Sequence, residues 1–203
     1  MNLPNILTLA RIGMSVIFVI ALSITWPYAF VAGFILFLTA SLTDFLDGHL
    51  ARKHNQITDF GKLMDPLADK ILVSSAMVLL AVGHGLPAPS VLPVCAPLPA
   101  WFVILILLRE FLVTGVRMLA LGNRIVIAAD FWGKFKTVVQ IVLVCLILLP
   151  AGILELGWNN LAAWPLWLWA RHLAFALTLV STILSGVLYL RTFLKQGALV
   201  IRA

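Results

Sequence analysis

A chain of 203 residues that is 63% hydrophobic and 11% charged, with a mean hydropathy of +1.10, is not a water-soluble globule. Its net charge of +6 falls mostly between apolar runs, where membrane topology accounts for it, and no nucleic-acid partner is expected. The runs are roughly twenty residues each, the length that crosses a hydrocarbon core about 30 Å thick. They do not alternate with polar residues as barrel strands do. Lipid offers the backbone no hydrogen bonds, so each run is expected to be helical. The expected fold class is all-α: a polytopic integral membrane protein with six transmembrane helices, forming one domain over 1–203.

In chain order the spans fall at about Asn5–Ile24, Tyr28–Leu50, Asp65–Val82, Leu98–Leu121, Trp132–Leu149 and Trp167–Leu190. Asn2-Leu3-Pro4 has the look of a helix start, with proline in the first turn. The opening NLPNILTLAR, within an N-terminal segment of about 1–11, is expected to lie in the membrane interface. The first run shows no small-residue cleavage site and is read as a retained helix. Pro87, Pro89, Pro93, Pro97 and Pro99 mark a long third connection, and Pro150, Gly152 and Gly157 are expected to end the fifth span. Cys95 and Cys145 stand alone in apolar surroundings and are read as packing residues.

Basic residues set the orientation. Arg52, Lys53 and Lys62 lie between spans two and three; Arg124, Lys134 and Lys136 lie at or near the turn between four and five; Arg191, Lys195 and Arg202 follow the last. The opposite connections hold no Lys or Arg until Arg171. Basic loops stay in the cytoplasm, so both termini are expected there. Trp26, Trp101, Trp158, Trp164 and Trp167 would then form an interfacial belt at the outer ends.

Against this background the carboxylates are oddly placed. Five of the eight acidic residues lie within 44–70. Asp44 and Asp47 are three apart, Asp65 and Asp69 four apart, and on helices both intervals put a pair on one face. The pairs sit at the cytoplasmic ends of two consecutive, antiparallel spans and can face each other. A carboxylate at mid-membrane costs on the order of 3 kcal/mol, and four together repel. A shared divalent cation relieves both, and an all-oxygen donor set favours Mg²⁺ or a similar hard ion such as Mn²⁺. Two such ions can clamp a phosphoryl group during displacement. The plainer alternative, interfacial caps, suits Asp59 in the polar turn HNQITDF. Between the pairs, Gly48 and Ala51 leave room for a ligand beside the backbone, or simply for close helix packing. Arg52 suits a diphosphate by charge and geometry. Gly61 breaks the loop before the third span, and Pro66 suits a first helical turn.

The pattern Asp44-x2-Asp47-Gly48-x2-Ala51-Arg52-x8-Gly61-x3-Asp65-x3-Asp69 resembles, position by position, the signature of the CDP-alcohol phosphotransferase family. The resemblance implies six transmembrane helices, usually as a homodimer, in a bacterial cytoplasmic membrane, with the active site facing the cytoplasm. It implies transfer of a phosphatidyl or phospho-alcohol group between CDP and an alcohol, using divalent metal. Asp44, Asp47 and Asp65 would bind metal, and Asp69 would bind metal or take the proton of the attacking hydroxyl. Gly48, Ala51, Arg52 and Gly61 would cradle the cytidine diphosphate, with Asn5 and Thr8 near its nucleotide end. Met64 stands where the family commonly has leucine.

The remaining charges bear on the acceptor. Span four contains Arg109, Glu110 and Arg117, and Lys134 and Lys136 open span five. Converging cations would suit a phosphorylated acceptor, whereas a plain alcohol needs none. The alternatives are positive-inside anchoring for the lysines and a structural Arg109–Glu110 ion pair. The stretches NLPNILTLAR, REFLVTGVR and WGKFKT resemble the branch of the family that uses CDP-diacylglycerol as donor and sn-glycerol 3-phosphate as acceptor. Other readings are a relative that uses phosphatidylglycerol (a cardiolipin synthase) or inositol phosphate, an intramembrane prenyltransferase, and a small cation-coupled transporter. The transporter predicts charges at the midplane and repeated or broken helices, neither of which the sequence offers.

Overall fold

The computed structural model describes the backbone at 3–54, 59–122 and 131–201 and the side chains at 9–43, 70–116 and 131–194. Among these residues the structure is all-helical and has no strand. The elements are α1 (Leu3–Ser23), α2 (Ala29–His54), α3 (Asp59–Val82), a 3-10 turn (Pro93–Cys95), α4 (Ala100–Gly122), α5 (Phe131–Glu155), the short α6 (Asn159–Ala162) and α7 (Pro165–Ile201). Each expected span has its helix.

Three helix boundaries differ most from the sequence reading, and one is the end of α7, which runs to Ile201 rather than Leu190. The third helix begins at Asp59 rather than Asp65, so Pro66 lies in its second turn rather than its first. Proline there has no N–H to give to the carbonyl of residue 62, and the helix continues regardless. The fifth does not stop at Pro150 but runs on to Glu155. It ends at Gly157, whose φ of +81° is the left-handed conformation that closes a helix. Gly152 has a different task. A Cβ there would come within 3.2 Å of the Val31 backbone nitrogen, so the missing side chain lets α5 lie directly against α2.

The stretches Phe131–Glu155 and Asn159–Leu194 are each long and apolar enough to cross a membrane, and Leu9–Ser23, Ala29–Thr43 and Lys70–Val82 are shorter apolar stretches. Large apolar side chains are also widely exposed, among them Ile17 and Ile20 on α1, Ile104 and Phe111 on α4, and Leu173 and Val180 on α7. Such a surface suits lipid and not water. Hydroxyls inside the helices bond back to their own turns: Thr39 Oγ1 donates to the Ile35 carbonyl at 2.8 Å, and Ser75 Oγ to that of Ile71 at 2.7 Å. That local bond is how Ser and Thr are accommodated in an apolar helix.

The chain divides into two compact units. The first comprises Met1–Leu98 and Val144–Arg171. In it α1 packs against both α2 and α3, which also touch each other, and Phe18 meets Phe37 with ring centroids 5.7 Å apart. Glu155 anchors one end of α2: its carboxylate accepts from the Phe30 N–H at 3.0 Å and the Val31 N–H at 3.0 Å. First-turn amides have no partner within their own helix, and a carboxylate there also offsets the helix dipole. Arg171 ties down the proline-rich connection by donating to the Ala96 carbonyl at 2.8 Å and the Pro93 carbonyl at 3.4 Å. Cys95, fully buried beside it, directs its thiol at the Ile147 carbonyl 3.7 Å away. Burial pushes that thiol up to about 12, with the Arg171 charge pulling partly the other way.

The second unit comprises Pro99–Leu143 and His172–Ala203. Here Phe102 of α4 stacks on Phe175 of α7 with centroids 4.1 Å apart. A Cβ on Gly186 would sit 3.4 Å from the Arg109 side chain, so α4 and α7 also meet at that level.

Candidate active site

Helix α2 carries Asp44, Asp47, Gly48, Ala51 and Arg52; helix α3 carries Gly61, Asp65 and Asp69. The backbone is helical at all of these positions, so the three- and four-residue intervals do put each aspartate pair on one face of its helix. The side chains of these eight residues lie outside those described, as do those of Asn5 and Thr8 on α1 and Arg117 on α4. Four carboxylates on two touching helices are an oxygen donor set of the kind that hard divalent ions take, and in that respect the residues fit such a metal.

Arg11 was not singled out from the sequence. It is 5% exposed on α1, the helix that packs against both aspartate-bearing helices. The signal was present as one basic residue inside an apolar run, where an ionisable group needs a partner and is a functional candidate.

The second unit gathers three of the sequence-selected charges. Glu110 of α4 forms an ion pair with Lys136 of α5, and the Arg109 guanidinium lies 3.5 Å from the same Glu110 oxygen. Lys136 is 2% exposed, the most enclosed of the three. A buried charge needs an opposite one beside it, and Glu110 provides that for Lys136. Thus Arg109 and Glu110 do make the ion pair weighed as an alternative, and Lys136 belongs to it as well. Lys134 stands apart: two residues from Lys136 on the same helix, it is exposed. Beyond Lys136 by one turn, Gln140 is 3% exposed. It too was missed, because an amide in an apolar run does not reveal from sequence which way it faces.

Residues 1–184 match the CDP-alcohol phosphatidyltransferase family. The chain belongs to that family. Its relatives include the Bacillus subtilis (strain 168) protein named CDP-diacylglycerol–glycerol-3-phosphate 3-phosphatidyltransferase, 43% identical over 178 residues, which are 80% of this chain and 86% of the relative. A Rickettsia bellii (strain RML369-C) protein of the same name is 38% identical over 68% of this chain and 70% of its own length. One from Salmonella paratyphi A (strain ATCC 9150 / SARB42), again so named, is 31% identical over 91% of this chain and 88% of its own. As a CDP-alcohol phosphatidyltransferase, the chain falls in a family that generally depends on divalent metal.

Proposed function

We propose that this chain transfers the phosphatidyl group of CDP-diacylglycerol to sn-glycerol 3-phosphate, giving phosphatidylglycerophosphate and CMP. The observation that carries this reading is the 43% identity, across 86% of its length, to a bacterial protein named for that activity. The exposed apolar faces of the helices support a membrane location, and the bacterial relatives support the bacterial cytoplasmic membrane. In this reading 1–203 is one six-span domain, with 1–11 in the interface and both termini in the cytoplasm. It works as a homodimer with its site at the cytoplasmic side.

Asp44, Asp47, Asp65 and Asp69 would hold the metal, Mg²⁺ or Mn²⁺ and two ions. When bound, the metal supplies positive charge against the diphosphate. The chain's own residues do the rest. Gly48 and Ala51 keep the α2 backbone open to the diphosphate, and Arg52 grips it by charge. Gly61, Asn5 and Thr8 complete the nucleotide end. Asp69 takes the proton from the acceptor's primary hydroxyl as that oxygen attacks the phosphorus of the lipid-side phosphate. The bond from that phosphorus to the bridging oxygen breaks, and the electron pair leaves on CMP. Lys136, Arg109 and Arg117 hold the acceptor's phosphate by charge. Lys136 is placed for this by its ion pair with Glu110.

The test offers labelled glycerol 3-phosphate, inositol phosphate and phosphatidylglycerol in parallel to purified protein with CDP-diacylglycerol. Glycerol 3-phosphate should be consumed with one CMP released per product. Consumption of phosphatidylglycerol alone would overturn the acceptor assignment.

A further inference from the structure

Buried polar groups in a helical bundle nearly always find a partner, and one that does not points to a ligand or a water. In the second unit most hydroxyls of α7 satisfy this locally: Ser181 Oγ donates to the Thr178 carbonyl at 3.2 Å, and Ser185 Oγ to that of Ser181 at 2.6 Å. Gln140 does not. It is 3% exposed, and its Nε2 has no hydrogen-bond partner among the described residues. Thr182 Oγ1, at 1% exposure, is a second such group. It lies one turn before Gly186, where α7 approaches the Arg109 stem.

Position gives the amide its meaning. Gln140 follows Lys136 by four residues on α5 and both are enclosed, so they share a buried face about 6 Å apart along the axis. Lys136 is joined through Glu110 to Arg109. A three-carbon phosphate with its phosphate at Lys136 and its carbon chain running along α5 towards Gln140 is long enough to reach that amide. An amide carries both a donor and an acceptor, and a secondary hydroxyl can meet either.

We propose that Gln140 is a specificity-determining residue that reads the secondary hydroxyl of the acceptor, one turn from the lysine that holds its phosphate. The inference rests on the acceptor reading above and adds to it the feature by which the enzyme tells glycerol 3-phosphate from a simpler alkyl phosphate. A site that hydrogen-bonds a substrate hydroxyl rejects the analogue lacking it, because the buried amide is then left unmet.

The experiment compares sn-glycerol 3-phosphate with 3-hydroxypropyl phosphate, which keeps the phosphate and the attacking primary hydroxyl and lacks only the secondary one. The wild-type enzyme should favour glycerol 3-phosphate by about 10- to 100-fold in kcat/KM. Gln140→Met, similar in volume, should lose most of that factor on glycerol 3-phosphate and hold its rate on the analogue. Equal use of both acceptors by the wild type would overturn the proposal. So would a Gln140→Met enzyme slowed equally on both, the mark of a purely structural amide or one met by a resident water. The wild-type comparison decides by itself if the variant does not accumulate. Transfer to neither acceptor by an active wild-type protein would instead remove the acceptor reading, and this inference with it.

Discussion

Lys136 is 2% exposed and paired with Glu110. Under the proposed function it holds the acceptor's phosphate, so its loss should be felt at one substrate. Lys136→Met should lower kcat/KM for glycerol 3-phosphate by about 100-fold, the scale of a lost charge-assisted phosphate contact, and leave the KM for CDP-diacylglycerol within about twofold. Steady-state rates with each substrate varied in turn check this; equal damage to both would place Lys136 in the fold instead. For Asp69→Asn the rate should fall by about 10²–10⁴, the usual worth of a positioned base, while CDP-diacylglycerol still binds. The Cys95 thiol gives a pH prediction. Its folded-state pKa is raised from 9.0 to about 12, so its contribution to stability is fully present below pH 9 and lost as pH rises from 9 towards 12. Thermal melts should show that loss, and Cys95→Ala should reduce it. At this scale the sequence was informative about charge and silent about enclosure. Glu110 and Lys136 stood out as ionisable groups beside apolar runs, whereas Gln140 shows its importance only once its burial is known.

Among the elements, apolar runs located every long helix, because in lipid a run of that length has few other ways to satisfy its backbone. Boundaries were less legible. Pro66 reads as a first-turn residue and Pro150 as a helix end, yet α3 begins before the one and α5 runs past the other, since a long helix can forgo one amide. The contact at the start of α2 was not legible at all: Glu155 reaches Phe30 across 125 residues, and no local pattern encodes that. Glu155→Ala should leave the Phe30 and Val31 amides unmet at a cost of about 2 kcal/mol. That corresponds to a melting temperature about 4–8 °C lower in a chain of this size. An unchanged melt in detergent would show that water replaces the carboxylate fully.

For the whole molecule, α7 has 37 residues, about 55 Å of helix against a hydrocarbon core of about 30 Å. Its last turns, with Arg191 and Lys195, should therefore project beyond the lipid on the basic side. Single cysteines in a variant lacking Cys95 and Cys145 test the orientation: Gln56→Cys should react with an impermeant maleimide only after permeabilisation, Ser90→Cys in intact cells. The reverse pattern would invert the topology. The family, the all-helical class and the intervals between the aspartates were legible because such intervals lie along helices, which a sequence displays directly. The cluster of Arg109, Glu110 and Lys136 was less so, because it is assembled from α4 and α5, and sequence does not show how their faces meet. The most direct measurement is CMP release by purified protein supplied with CDP-diacylglycerol and glycerol 3-phosphate, first stripped of metal by chelation and then titrated with Mg²⁺ or Mn²⁺. The aspartates on α2 and α3 should make release fall to background without metal and recover on titration, with Asp44→Asn needing more metal or failing to recover. Full-speed release after stripping, or an unaltered Asp44→Asn titration, would contradict the account.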